Sequence, residues 1–333
     1  MISSGRHLFS SDIKPNMKNT LIPLIAALAL TAAGLTSPCV AAPLKKVLVV
    51  TTTTGFRHSS IATAEKVLSQ LAQQSGAFEV DYVRQPEGKP GGPRKPTALK
   101  ADAGAVEQQA FKDAEAQFAK DQAAYEVAAA KWQATLQQAL LKLSPDSLKN
   151  YDAVIFANTT GDLPIPDRDG FLNWIKEGGA FVGMHSCSDT FHGWPAFIEM
   201  LGGEFGGHGA QVGVECMNLD RFHPAMQKLG RSWVLQVEEI YLFKNYDPAK
   251  VHDLLSLDKH PNEKTPGHYP VSWSKDYGKG RVFYTSLGHR EDIWDADPTL
   301  KNRKNPVEVS QAFQGHILGG IKWALGLEQV KSK

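Results

Sequence analysis

The chain has 333 residues, 36 Lys and Arg against 35 Asp and Glu, and a formal charge of +1. Charges of both signs are interspersed along it, so no basic footprint marks a nucleic-acid partner. No apolar stretch is long enough for a comfortable transmembrane span, which excludes a membrane anchor of that kind.

The first segment reads as an address rather than as fold. Lys18 precedes an apolar run from Leu21 to Leu35, followed by Ser37-Pro38-Cys39-Val40-Ala41-Ala42. This is the charged, apolar and small-residue order of a secretory signal, with cleavage after Ala41. Residues 1–41 are therefore expected to be a signal peptide, Met17 is an alternative start, and the mature protein is expected to be periplasmic or secreted. About 290 residues remain, enough for one large domain or two small ones. Only Cys187 and Cys216 survive cleavage. A disulfide between them needs Cα atoms close enough to bridge, and free thiols are the default expectation.

The first half alternates as βαβ units do. Lys46–Thr52 is a predicted strand. Ser59–Gln74 is a helix, with Ile61, Ala64, Val67, Leu68 and Leu71 at helical spacing. Phe78–Val83 is a second strand. Gln85–Pro96, rich in Pro, Gly and basic residues, reads as an exposed loop. Ala98–Leu143 reads as a long helix or helical hairpin, with Phe111, Phe118, Tyr125, Trp132 and Leu136 as a packing face. Together these make a helical insertion over 86–147. A third strand over Ala153–Ala157 leads to a helix over Asp167–Lys176, closed by Gly178-Gly179. The fourth strand, from Ala180 to Met184, delivers His185.

Gly202–Gly209 reads as a flexible loop presenting His208. Beyond Gln211 strands dominate: Val212–Met217, Val234–Tyr241, Val251–Leu257, Tyr269–Trp273 and Arg281–Ser286, with a turn at Gly278-Lys279-Gly280. A final helix runs from about Val307 to Leu325. No internal repeats or heptads stand out. The expected fold is one α/β domain, its mainly parallel sheet flanked by helices.

Four apolar strands end in small polar loops: Thr51–His58, Asn158–Asp162, His185–His192 and Gly288–Arg290. In a doubly wound sheet, ligands bind at the carboxyl ends of the strands, so these loops are the candidate site. The chemically interesting groups are Arg57 and His58, Asp162, His185, Asp189 and His192, His208, Glu238 and Glu239, His268, and His289 with Arg290. Three His and a carboxylate among them would suit a divalent metal ion or general acid–base work. No His pair has the i, i+4 spacing of a helical zinc motif, and there is no Cys-x-x-Cys. A nucleophile elbow is also missing, since His185 and not Ser occupies the apex; Cys187 reads as a small buried residue. Trp194, Trp273, Tyr241 and Phe56 lie beside the strand ends, where aromatic faces suit sugar rings or simply a core.

Five segments in the same order carry a resemblance: Thr54-Gly55-Phe56-Arg57-His58, Asn158-Thr159-Thr160-Gly161-Asp162, Gly179–Thr190, Glu239-Ile240-Tyr241 and Gly280–His289. With them, residues 45–326 apart from much of the insertion resemble the ThuA-like (trehalose utilisation) family. The resemblance implies a flavodoxin-like fold related to class I glutamine amidotransferases. His185 stands where a glutaminase carries Cys, which argues against amide hydrolysis through a thiol. It also implies a role in disaccharide use through 3-keto sugars, and hence a small carbohydrate as partner. On that reading the expected reaction on a 3-keto glycoside is acid–base elimination, with or without a divalent metal, and hydrolysis or isomerisation fits equally; His185, His289 and Glu239 are the catalytic candidates. Arg57, His58, Thr160, Asp162, Asp189, Trp194, His208 and Trp273 are the substrate-binding ones. The alternative is a sugar-binding module without a poised base.

Overall fold

A computed structural model describes residues 44–332, together with Ser10 and Ser11; the expected signal segment otherwise lies outside the described residues. Eleven strands and seven α-helices follow one another. The first half holds β1 (Lys45–Val50), α1 (Ile61–Ser75), β2 (Phe78–Val83), α2 (Ala105–Leu140), α3 (Pro145–Leu148), β3 (Ala153–Ala157), α4 (Arg168–Lys176), β4 (Ala180–Met184) and α5 (Pro195–Leu201). The second holds β5 (Glu204–His208), β6 (Val212–Asn218), β7 (Ser232–Glu238), β8 (Tyr241–Lys244), β9 (His252–Lys259), β10 (Pro266–Tyr277), β11 (Gly280–Thr285), α6 (Glu291–Trp294) and α7 (Val307–Ala324).

Nine strands form one sheet in the order β2-β1-β3-β4-β11-β10-β9-β6-β7. The first five are parallel to their neighbours. From β11 onward every pairing is antiparallel. The expected mainly parallel sheet is therefore only its first half.

Burial on both faces explains the continuous apolar runs of the parallel strands. Side chains alternate across a strand, so Val47, Val49, Ile155 and Val182 pack on the face that α1 and α7 cover, with Leu68, Phe313 and Ile317. Leu48, Val50, Phe156 and Phe181 pack on the opposite face, with Phe171, Phe197 and Trp273. Asp167 caps α4 by accepting from the Gly170 N–H at 2.8 Å, and the left-handed Gly76 closes α1.

Three expectations are corrected. The Gly202–Gly209 segment is largely β5, paired antiparallel with β8 in a separate two-stranded sheet. Its glycines serve close approach rather than flexibility: a Cβ at Gly206 would lie 3.1 Å from the Leu242 carbonyl, and one at Gly203 3.2 Å from the Trp273 ring. Val234–Tyr241 is not one strand, because the ladder ends at Glu238 and β8 begins at Tyr241.

The third concerns periodicity in the insertion, which takes the first of its two expected forms, one 36-residue helix, about 54 Å long at 1.5 Å per residue. Phe111, Phe118, Tyr125 and Trp132 recur at a heptad interval after all. The preceding segment, carrying Pro86, Pro90, Pro93 and Pro96, runs back along this stripe. Trp132 Nε1 donates to the Pro86 carbonyl at 3.1 Å, the Lys89 ammonium sits 5.5 Å from the Trp132 ring centre, and Gly92 lies against Tyr125. The stripe faces a proline strap instead of a second helix.

Candidate metal and acid–base centre

Four chain segments bring His58, His185, Glu239 and His289 together. His58 lies in the loop after β1, His185 follows β4 directly, Glu239 sits at the break between β7 and β8, and His289 follows β11. One side-chain donor atom from each lies within 4.8 Å of the others. His185 Nε2 is 3.2 Å from His58 Nε2, 3.3 Å from His289 Nδ1 and 3.9 Å from Glu239 Oε1. His289 Nδ1 is 3.2 Å from Glu239 Oε1.

The backbone holds these groups in place at some cost. His185 takes a left-handed φ of 47°, which costs a residue with a Cβ about 1–2 kcal/mol. The Tyr284 hydroxyl donates to the His185 carbonyl at 2.7 Å and meets Ser188 Oγ at 2.8 Å. Asn158, also left-handed, donates to Ser60 Oγ at 2.9 Å and to the Gly288 carbonyl at 3.0 Å, tying three strand-end loops together. Glu238, buried one residue before Glu239, accepts from the Gly288 and His289 N–H groups at 2.9 and 2.8 Å.

Proton positions follow from the acceptors. The Ser286 carbonyl can only accept, so His185 Nδ1, 2.8 Å away, carries the hydrogen and Nε2 offers a lone pair. The Tyr241 hydroxyl lies 3.1 Å from that lone pair. Burial pushes His185 well below the usual imidazole range, and burial followed by the neighbouring imidazoles holds His58 at about 4. Both are neutral at physiological pH. Burial lowers His289 too, but its bond to Glu239 outweighs that and leaves the group raised. Burial lifts Glu238 to about 7.

His208, at the end of β5, is 42% exposed, and its Nδ1 is 3.2 Å from Glu239 Oε2. The same nitrogen donates to the Gly209 carbonyl at 2.9 Å, so Nε2 is left unprotonated in the neutral ring. Phe56 is 67% exposed, its ring centre 4.8 Å from that of His58. The Phe56 carbonyl accepts from Thr160 Oγ1 at 2.6 Å.

The other expected substrate contacts lie elsewhere or face away. Arg57 turns back to the Thr51 carbonyl at 2.9 Å and Gln85 at 3.2 Å. Asp162 is exposed and paired with Arg168. Asp189 pairs with His192, which also bonds Glu204 at 2.6 Å. Thr160 braces the Phe56 loop. Trp194 is buried against Phe191 and Phe197. Trp273 is fully buried and donates to the Leu201 carbonyl at 2.7 Å, so neither indole offers a face to a sugar ring. Ser286 and Tyr284 were not among the expected site residues, and Tyr241, Glu238 and Asn158, which lie in or beside the expected site segments, carried no expected role as supports of the cluster. For Tyr241 the signal was its place two residues after Glu239; the others act through backbone contacts that no motif announces.

Cys187 and Cys216 are free and buried. Burial pushes the Cys187 thiol well up, outweighing a lowering hydrogen bond with Thr159, the opposite of an activated nucleophile. No helix among the described residues is long and apolar enough to cross a membrane.

A family model, ThuA, described as trehalose utilisation, matches residues 100–324. None of the curated proteins matches the chain. Among solved structures, a putative ThuA-like protein from Parabacteroides merdae ATCC 43184 superposes with TM-score 0.55 at 18% identity, covering 88% of this chain and 93% of that one. A second, from Bacteroides uniformis ATCC 8492, gives TM-score 0.54 at 19% identity over 87% and 95%. At such identities these two likenesses speak for the fold.

Proposed function

Because the chain belongs to the ThuA family, whose model is described as trehalose utilisation, we propose that its strand-end pocket acts on an oxidised, 3-keto glycoside by elimination. The observation that carries this is the pairing of an exposed His208, oriented by Glu239, with a largely buried cluster of three imidazoles behind it. A ketone at C3 acidifies the C2 hydrogen. His208 Nε2 takes that proton, and the C–H electron pair forms the enolate, with charge on the C3 oxygen. The enolate then expels the C1 substituent: the C1–O bond breaks with its electrons on the leaving oxygen, a C1=C2 double bond forms beside the restored ketone, and the leaving oxygen takes up a proton. No oxidant or reductant is consumed.

An imidazole suits this step because its ordinary pKa lies near ambient pH. Glu239 fixes the tautomer, and the His58–His185–His289 cluster is the electrophilic side, where enolate charge develops in a water-poor setting. Phe56 offers an aromatic face for the C–H patch of a sugar ring. The order of the five parallel strands supports a flavodoxin-like core, with the His58–His185–Glu239–His289 cluster beside its strand ends. Residues 1–41 act, in this reading, as a secretory signal for a periplasmic or secreted protein. Sequencing the amino terminus of the exported protein should find Ala42; residues 21–41 retained in a membrane fraction would refute this.

The activity is tested by incubating the protein with glycosides and their 3-keto derivatives in D2O. Deuterium entry at C2 of the recovered substrate and release of the C1 substituent are the expected results, both lost in His208→Ala with the fold intact. Binding without exchange or cleavage, indifferent to His208→Ala but lost in Phe56→Ala, would replace the enzyme with a sugar-binding module.

A further inference from the structure

Three nitrogens and a carboxylate oxygen aimed at one point need something positive between them. We propose that His58 Nε2, His185 Nε2, His289 Nδ1 and Glu239 Oε1 bind a divalent first-row transition metal ion. The site itself rests on geometry alone; its part in catalysis rests on the elimination reading above.

The spacings fit first. A metal–nitrogen bond of ~2.0–2.1 Å at the tetrahedral angle places neighbouring donors ~3.3 Å apart. Four of the six separations are 3.2, 3.3, 3.2 and 3.9 Å, the last between His185 Nε2 and Glu239 Oε1, and all six lie within 4.8 Å, so an ion would draw His58 inward to complete the tetrahedron. Hydrogen bonding alone does not account for this convergence. The His185 Nε2 lone pair takes one hydrogen, yet His58, His289 and the Tyr241 hydroxyl all approach it within 3.3 Å. A cation uses every one of these nitrogen lone pairs at once.

The outer contacts fit next. Metal-bound imidazoles donate their second ring N–H to a carbonyl, a carboxylate or another oxygen, which sets tautomer and ring orientation. His185 Nδ1 donates to the Ser286 carbonyl, and His58 Nδ1 lies 3.3 Å from Ser186 Oγ. The second oxygen of Glu239 meets His208. A cation would thus bind ligands already oriented by their neighbours. An imidazole-rich set favours zinc, iron, cobalt or nickel, with manganese at the weaker end, over magnesium or calcium, which prefer oxygen. One carboxylate against a divalent ion leaves net positive charge, and that is what a developing enolate oxygen requires. His208 stays outside the ligand set and keeps its lone pair for the C2 proton.

The test uses the full-length protein, stripped by chelator and reloaded separately with Zn2+, Mn2+, Co2+ or Ni2+. The expected result is one tightly held ion per chain for at least one of these metals. X-ray absorption at the edge of that metal should show three imidazole shells, a readout that needs no variant. His58→Ala and His289→Ala should lower affinity beyond the ~10–100-fold that an outer-contact change costs, and Ser186→Ala by about 10-fold. His192→Ala, which removes a histidine outside the cluster, should leave it unchanged. Less than stoichiometric uptake of all four metals, a bound ion without imidazole ligands, or uptake indifferent to the His58→Ala, His289→Ala double variant overturns the proposal. Stoichiometric imidazole-bound metal with no sugar chemistry would sink the elimination reading and leave the site standing.

Discussion

The left-handed turn at His185 predicts what Tyr284→Phe should do. The change deletes one oxygen. It leaves the ring in place against Trp273, 4.4 Å away between centres, so the cavity contribution is small. The lost oxygen was the donor to the buried His185 carbonyl and a partner of Ser188 Oγ. A buried acceptor left without its donor costs about 1–3 kcal/mol. Backbone relaxation toward ordinary φ returns at most the ~1–2 kcal/mol stored there, and only by moving the imidazole. The expected loss is therefore about 2 kcal/mol, seen as a fall in Tm of about 3 °C for a domain of this size. Measured in chelator, the fall reports the hydrogen bond; metal titration of the same variant should show affinity about 10-fold weaker or more, because His185 Nε2 is no longer held. A Tm within about 1 °C of the parent together with unchanged metal affinity would refute the reasoning.

Other outcomes follow from neighbouring features. Trp273→Ala should cost about 3–5 kcal/mol in chemical denaturation, as a cavity in a packed core does, whereas Phe56→Ala should leave stability within about 0.5 kcal/mol and weaken sugar binding; the reverse pattern would move the sugar site to Trp273. His316 and His223, buried and held by burial at about 4 and about 3, stay neutral in the fold but protonate at their ordinary pKa when unfolded. The unfolded chain thus binds more protons, and stability should fall as pH drops from about 6.5 toward 4, by of order 3 kcal/mol for His316 alone. Denaturation at pH 7.5 and 4.5 checks this, and a His316→Gln slope as steep as the parent's would contradict it. Gly161 has φ +77°, and a Cβ there would lie 2.4 Å from Thr54 Oγ1 and 2.6 Å from the Gly55 nitrogen. Gly161→Ala should therefore lower stability by about 1–3 kcal/mol and displace the loop that carries His58; calorimetry with metal titration reads both.

The parallel half of the sheet was legible because burial on both faces leaves one kind of sequence. Ala180–Met184 and Ala153–Ala157 read as strands from their apolar runs, and His58, His185 and His289 stood out as polar residues where such runs stop. The antiparallel half gave weaker signals. Glycines at 203 and 206 suggest a loop unless the Trp273 ring and the β8 backbone they accommodate are known. The seven-residue aromatic spacing of α2 hides its meaning because its partner, the proline strap, has no periodicity of its own. Arg57 and Asp162 sit beside site residues in sequence, yet each finds a local partner, Thr51 or Arg168, and sequence adjacency carries no information about that choice. Nor does alternation along β7 reveal that Glu238 braces a loop while Glu239 enters the cluster.

The cluster is also the point where distant parts of the chain are stitched together. His58 and His185 are 127 residues apart, and His185 and His289 another 104. Contacts of such high order form late, after the loop-closure entropy of the intervening chain has been met. The ligands belong to β1, β4, β7 and β11, so the four converge only when both the parallel and the antiparallel halves of the sheet are in register. An ion captured there acts on a finished sheet: it should leave the folding rate almost untouched and slow unfolding instead, since its bonds are absent from the transition state. The durability of the folded chain would then be set by the escape of one metal ion.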